Sequence, residues 1–193
     1  MAIKEAIHDG RIIIEPFDET LLGGNSYDIR IGSWIVRQRD WAKNIALHVN
    51  APIIKLENGQ KIDGDSVWEE PHDAGEGGTI VLRPGELILA HTIERIGCFE
   101  NVVAEMKSRS SAMRLGQAIC IDAGLGDVGF DSRWTMEVYN HLARPISIPV
   151  GARVGQMTFH EVAGNSRDYY VKGGTYGSAL NWTPNDMIPR SRM

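Results

Sequence analysis

Thr79-Ile80-Val81-Leu82-Arg83-Pro84-Gly85-Glu86-Leu87-Ile88-Leu89-Ala90-His91-Thr92-Ile93 sets two aliphatic, β-branched runs on either side of a Pro-Gly turn. Short apolar runs bounded by such turns read as strands, and this pair reads as a hairpin. The pattern recurs where residues 146–148 and 154–159 flank Pro149-Val150-Gly151, a second hairpin candidate. Between the two, Trp134, Met136 and Val138 alternate with Thr135, Glu137 and Tyr139. A strand there turns Glu137 to the face opposite Met136 and Val138. From Thr79 to Glu161 the chain therefore reads as an all-β sandwich or barrel. Helices are few and short: one over residues 4–8, ending at Gly10, and one from an N-capping Ser110 to a stop at Gly116.

The chain has 193 residues and 42% hydrophobic composition, which suits one well-buried core. Residues 1–163 are expected to form that domain, with 37–78 as a variable insertion and 164–193 as a flexible C-terminal arm rich in Gly, Ser, Asn and Pro. A net charge of −5 argues against a surface built for a nucleic-acid backbone, while leaving room for a local basic pocket that holds one nucleotide. No run approaches the roughly 20 apolar residues of a membrane span, and Met1 to Arg11 has no apolar leader. The expectation is a soluble cytoplasmic protein with no membrane partner. Cys98 and Cys120 form no Cys-x-x-Cys motif and read as small buried residues. His8, His48, His72, His91, His141 and His160 show no metal-ligand spacing.

Ser108-Arg109-Ser110-Ser111-Ala112-Met113-Arg114-Leu115-Gly116 is the densest polar cluster in an otherwise apolar stretch. If Ser110 opens a helix, Arg114 shares its face and the first-turn amides point outward, an arrangement that suits an anion. The same letters also suit a solvated surface helix. Spacing supplies the context: Asp127 follows Ser110 by seventeen positions and Glu137 follows Asp127 by ten.

Together with Gly10-Arg11-Ile12, Glu15-Pro16, Asn25-Ser26-Tyr27-Asp28-Ile29-Arg30-Ile31-Gly32, Arg83 to Leu87 and Gly151-Ala152-Arg153-Val154-Gly155-Gln156, this ordered set resembles the dCTP deaminase family and the related trimeric dUTPases. The resemblance covers about three quarters of the chain. It implies a mainly β fold, a distorted jelly-roll-like barrel of the dUTPase type, assembled as a homotrimer with shared sites. It implies zinc-independent deamination of dCTP to dUTP and ammonia, with Mg²⁺ accompanying the triphosphate. By the same resemblance Glu137 shuttles the proton, Ser110 orients the water or the base, Arg114 positions Glu137, and the Ala123 backbone contacts the water. Arg109, Ser111 and Gln156 hold the triphosphate; Asp127 receives the 3′-hydroxyl, and Phe130 selects deoxyribose. A zinc deaminase would instead show His-x-Glu followed by Pro-Cys-x-x-Cys, and neither half occurs in the sequence.

Departures from the family pattern keep other readings open. Asp122 stands where the deaminases usually have Thr, Cys120 where a His is frequent, and Leu125 where some members carry a phosphate-binding Arg. The tail lacks the deaminase Lys and Gln. Its Gly173-Gly174-Thr175-Tyr176-Gly177-Ser178 is similar to the dUTPase tail, whose aromatic covers the base, a role that falls on Tyr176. Asp122 is placed near the water, where it could tune the base or repel phosphates. The alternatives are a dUTP pyrophosphatase, a bifunctional deaminase and pyrophosphatase, and a regulatory protein that binds nucleotide without turnover. Glu137 favours deamination, since dUTPases usually carry a non-acidic residue there.

Overall fold

The computed structural model describes residues 2–44, 53–55, 61–63, 67–121, 123–163 and 181–189. Among these, the strands are β1 (Ile12–Glu15), β2 (Tyr27–Arg37), β3 (Ile53–Lys55), β4 (Lys61–Asp63), β5 (His72–Asp73), β6 (Thr79–Leu82), β7 (Leu87–Cys98), β8 (Val102–Ser108), β9 (Gln117–Ile119), β10 (Leu125–Gly126), β11 (Asp131–Asn140), β12 (Ile146–Pro149) and β13 (Arg153–Glu161). Two short α-helices accompany them, α1 (Ile3–His8) and α2 (Ser110–Arg114). The fold is mainly β, as the alternating runs require. The main sheet follows the order β10-β8-β13-β2-β7-β11-β9, with β1 on β7 and β5 on β2, and it curls around one core. Tyr27, Ile29, Ile31, Met106, Met136, Val138 and Met157 are completely buried there.

Neither hairpin candidate pairs as its turn suggests. β6 lies against β12, with Leu82 opposite Ile146 and Thr79 opposite Pro149, while β7 pairs with β1, β2 and β11. β13 likewise pairs with β2 and β8, not with β12. The cause is in the turns. Pro84 precedes Gly85 at φ 66°, and Gly151 sits at φ 84° in a turn closed by the Ala152 N–H donating to Pro149 O at 3.0 Å. A positive-φ Gly at the third position is the type II pattern in both turns, with Pro84 at the second position of the first and Val150 at that of the other, and its twist splays the flanking strands. Both turns are corners that send the chain from one sheet to the other.

The N-cap of α2 also differs from expectation. The Arg109 N–H still donates to Val154 O at 3.1 Å, so that residue is tied to the sheet, and its carbonyl accepts the first helical bond from Met113 N at 2.9 Å. Arg109 is therefore the cap and Ser110 the first helical residue. Gly116 follows the helix at φ 82°, as its stop.

A smaller cluster lies beside the main core: Val36, Ala42, Val67, Trp68, Leu89 and Met187, with Trp182 packed against it. Residues 37–44 and 67–69 meet here, through the Arg39 N–H on Val67 O at 2.8 Å and the Glu69 N–H on Arg37 O at 2.8 Å. The 3-10 turn Pro184–Met187 brings the C-terminal segment into the same cluster. Cys98 and Cys120 are free and buried, and burial pushes both thiols up to about 12. No helix among the described residues is long and apolar enough to cross a membrane.

Candidate active site

β11 carries the site. Its burial alternates residue by residue, with Trp134, Met136 and Val138 inward and Arg133, Thr135 and Glu137 on the other face. Those three line a cavity of about 230 Å³, as do Trp182 and Met187 of the C-terminal segment. Ala123, Asp127 and Phe130, in the chain leading into β11, line the same cavity. Local bonds hold that lead-in. Gly124 O accepts from Met106 N at 2.7 Å, Cys98 O from Gly129 N at 2.6 Å, and Phe130 O from Cys98 N at 2.9 Å. Phe130 packs on Trp134 with ring centroids 5.0 Å apart.

Glu137 is the chemically distinctive group. Its Oε2 is shut off from solvent and has no hydrogen-bond partner. Burial raises its pKa above the ordinary carboxylate value, opposed only in part by its own backbone N–H. Removing solvent from a carboxylate disfavours the charged form, so the group is shifted toward the range where it can both take and return a proton. Its carbonyl accepts from Cys120 N at 3.0 Å, and Cys120 adopts φ 42°, a left-handed conformation uncommon outside glycine. The Cys120 side chain is buried, its Sγ 3.7 Å from Met106 Sδ.

The phosphate-binding candidates lie elsewhere on the chain. Ser110, Ser111 and Arg114 are exposed on α2, and neither they nor Arg109 and Gln156 line the cavity. Arg109 Nε is 3.4 Å from Asp28 Oδ1, Arg153 Nη1 is 3.4 Å from Asp28 Oδ2, and Gln156 Nε2 donates to Ser26 Oγ at 3.5 Å. This second polar patch is built from β2, β13 and the end of β8. Within one chain Arg114 makes no bond to Glu137. Asp122 and Tyr176 lie outside the described residues.

Sequence reasoning missed Arg133, Thr135 and Trp182. The first two were legible, because the alternation that puts Glu137 on the polar face puts residues two and four positions earlier beside it. Trp182 had no comparable signal beyond being an aromatic in a polar tail. His91, on β7, lies under it with ring centroids 4.7 Å apart. His91 donates from Nδ1 to Thr92 O at 2.8 Å and accepts at Nε2 from Trp34 N at 3.3 Å, which fixes the neutral tautomer. Its burial pushes the imidazole down to about 4. Among the described residues no three His, Cys, Asp or Glu side chains converge on a metal site.

A curled β-barrel that holds a desolvated carboxyl over a small cavity, with an arginine and amide patch apart from it, defines a class of enzyme-like sites for a small anionic ligand. The chain belongs to the dCTP deaminase-like family, whose model matches residues 1–162. It is 31% identical over 170 residues to a dCTP deaminase, dUMP-forming, of Methanoculleus marisnigri, covering 88% of this chain and 83% of that one. It is 32% identical over 180 residues to a protein of the same description from Dictyoglomus thermophilum, covering 90% and 84%. A dCTP deaminase of Haloarcula marismortui is 28% identical over 162 residues, covering 83% and 77%. The fold also matches the crystal structure of a 2′-deoxycytidine 5′-triphosphate deaminase from Agrobacterium tumefaciens, with TM-score 0.59 and 19% identity. That match covers 83% of this chain but 46% of the longer neighbour.

Proposed function

We propose that the protein deaminates dCTP hydrolytically, with Glu137 moving the protons. The observation that carries this reading is the unpartnered Glu137 carboxyl, desolvated in a cavity with Ala123, Asp127 and Phe130 on its wall. Water attacks C4 of cytosine and gives a proton to Glu137, which passes it to N3; the carboxylate then takes the proton of the new 4-hydroxyl and gives it to the amino group, so that ammonia departs and the 4-carbonyl of uracil forms. The cavity is smaller than the roughly 300–1,000 Å³ of a pocket that encloses a whole ligand. It suits a base and sugar, with the phosphates outside. Asp127 and Phe130 then face the deoxyribose, while Arg109, Ser111 and Gln156 take the phosphates and Ser110 and Arg114 complete the catalytic group. The chemistry is zinc-independent in this reading, resting on a carboxyl in place of the zinc-deaminase motif. Mg²⁺ fits as a cation carried by the phosphates, since the described residues offer no cage of their own, and it would neutralise phosphate charge. The arm 164–193 acts as the cover of the site, and a cytoplasmic role in supplying deoxyuridine nucleotides follows from the substrate.

A second reading adds loss of pyrophosphate after deamination, and it is favoured by relatives described as dUMP-forming. One experiment tests both. The protein is incubated with Mg²⁺ and dCTP, dCMP or dUTP separately, and products are resolved by chromatography. Ammonia with dUTP or dUMP from dCTP is expected; dUMP with pyrophosphate selects the bifunctional form. Consumption of dUTP with dCTP untouched sinks the deaminase reading.

A further inference from the structure

Three buried side-chain polar atoms among the described residues lack a hydrogen-bond partner: Glu137 Oε2, Trp182 Nε1 and Gln117 Nε2. The first two belong to residues that line the same cavity. A buried indole N–H ordinarily finds an acceptor, so an orphan donor and an orphan carboxyl on residues of one cavity lining point to a ligand with matching groups. The Trp182 ring is held in place. His91 lies against it, the Arg133 guanidinium sits 5.1 Å from its centroid, and the following turn is fixed by Asp186 Oδ2, which accepts from Thr183 N at 2.7 Å and Thr183 Oγ1 at 3.1 Å. His91 in turn occupies the space that a side chain on Gly32 would fill. A rigid support beneath an unpaired donor is what a recognition residue requires.

We propose that the Trp182 indole N–H donates to the 2-carbonyl oxygen of the substrate pyrimidine. The inference rests on the deamination reading above. Glu137 must work around C4, at the attacking oxygen, the amino nitrogen and the adjacent ring nitrogen, which are the atoms that exchange protons. The 2-carbonyl is the acceptor that remains on the base edge, and Trp182 supplies the matching donor. The docked C-terminal segment thus reads the base as well as covering it, and Trp182 is a specificity-determining residue.

The test compares dCTP with its 2-thio analogue, whose sulfur is a poor acceptor, on the full-length parent and on Trp182→Phe. Phe keeps an aromatic ring for His91 and Arg133 and removes the donor, and the thio comparison separates that loss from the loss of ring area. For the parent, kcat/KM is expected to fall about 10-fold on thio substitution. Trp182→Phe is expected to lose about 10-fold on dCTP, mostly in KM, and to show no thio penalty. A merely structural Trp182 leaves the thio penalty intact in the variant, and that result overturns the proposal. So does a parent indifferent to the sulfur, a measurement that does not depend on the variant folding. If the parent deaminates dCTP while either of these holds, the base-reading role fails and the deaminase reading stands. A parent inert toward dCTP removes both.

Discussion

Desolvation raises the Glu137 pKa, which in the proposed mechanism suits the carboxyl to proton transfer, and it works against the folded state at the same residue. Its raised pKa means that the fold favours the neutral acid. The contribution of this group to stability is therefore complete below the unfolded carboxylate value of about 4.3 and is lost as pH rises through the folded value. Glu137→Gln keeps the shape and cannot ionise. We expect it to lower the deamination rate by about 10²–10⁴-fold and to melt above the parent at pH 7, with the difference closing as pH falls toward 4.3. Product assays and a pH series of thermal unfolding check the two halves separately. Near-parent turnover would remove Glu137 as the proton shuttle, and an unchanged melting temperature at pH 7 would remove the desolvation argument.

At the level of the element, β7 carries an acid-sensitive joint. His91 is 3% exposed, with its ring between Gly32 of β2 and Trp182 of the C-terminal segment. Its depressed pKa gives stability that is present above the unfolded value of about 6.5 and is lost as pH falls through about 4. The loss across that window is on the order of 3 kcal/mol. The carboxylates held low by their hydrogen bonds, Asp18, Asp40, Asp73 and Glu105, release theirs at lower pH, below the ordinary carboxylate range. Chemical denaturation between pH 7 and 4.5 should therefore show His91→Gln with a shallower decline than the parent. Equal slopes would assign the acid sensitivity to another group. The elements themselves were unequally legible. β11 could be read from period-two alternation because one of its faces is buried and the other lines the cavity. The Pro-Gly turns correctly ended β6 and β12, but turn residues encode a change of direction and carry no information on which strand lies alongside. The grouping of Glu137, Asp127 and Phe130 was expected from the family resemblance, whereas the docking of Trp182 and Met187 depends on a cluster assembled from β2, β7 and the insertion, contacts too distant in sequence to leave a pattern.

On the scale of the whole molecule, the separation of the two polar groups has a direct consequence. Glu137 faces a cavity that Ser110 and Arg114 do not line, and α2 stands on the surface with apolar neighbours exposed: Met113 at 43%, Leu115 at 68%, Ile121 at 54% and Leu125 at 65%. Exposed apolar side chains of this size suit a surface for association, and Leu125 also lines the cavity. The homotrimer with shared sites, proposed from the resemblance, would let α2 of one subunit complete the cavity of the next. Its expected mass is three times the 21.4 kDa chain. Complementation tests the sharing itself. Glu137→Gln and Arg114→Ala are each expected to be inactive alone, the first lacking the proton shuttle and the second its positioning cation. When the two are unfolded together in equal amounts and refolded, mixed trimers contain junctions where an intact Glu137 meets an intact Arg114 from its neighbour. Random assortment makes roughly a quarter of the junctions competent, so about that fraction of parental activity should return. Separately refolded samples mixed afterwards should stay inactive until subunits exchange. If both residues of a working site came from one chain, no combination of the two variants could restore it, and a mixture as inactive as its components would place Ser110 and Arg114 outside the shared site.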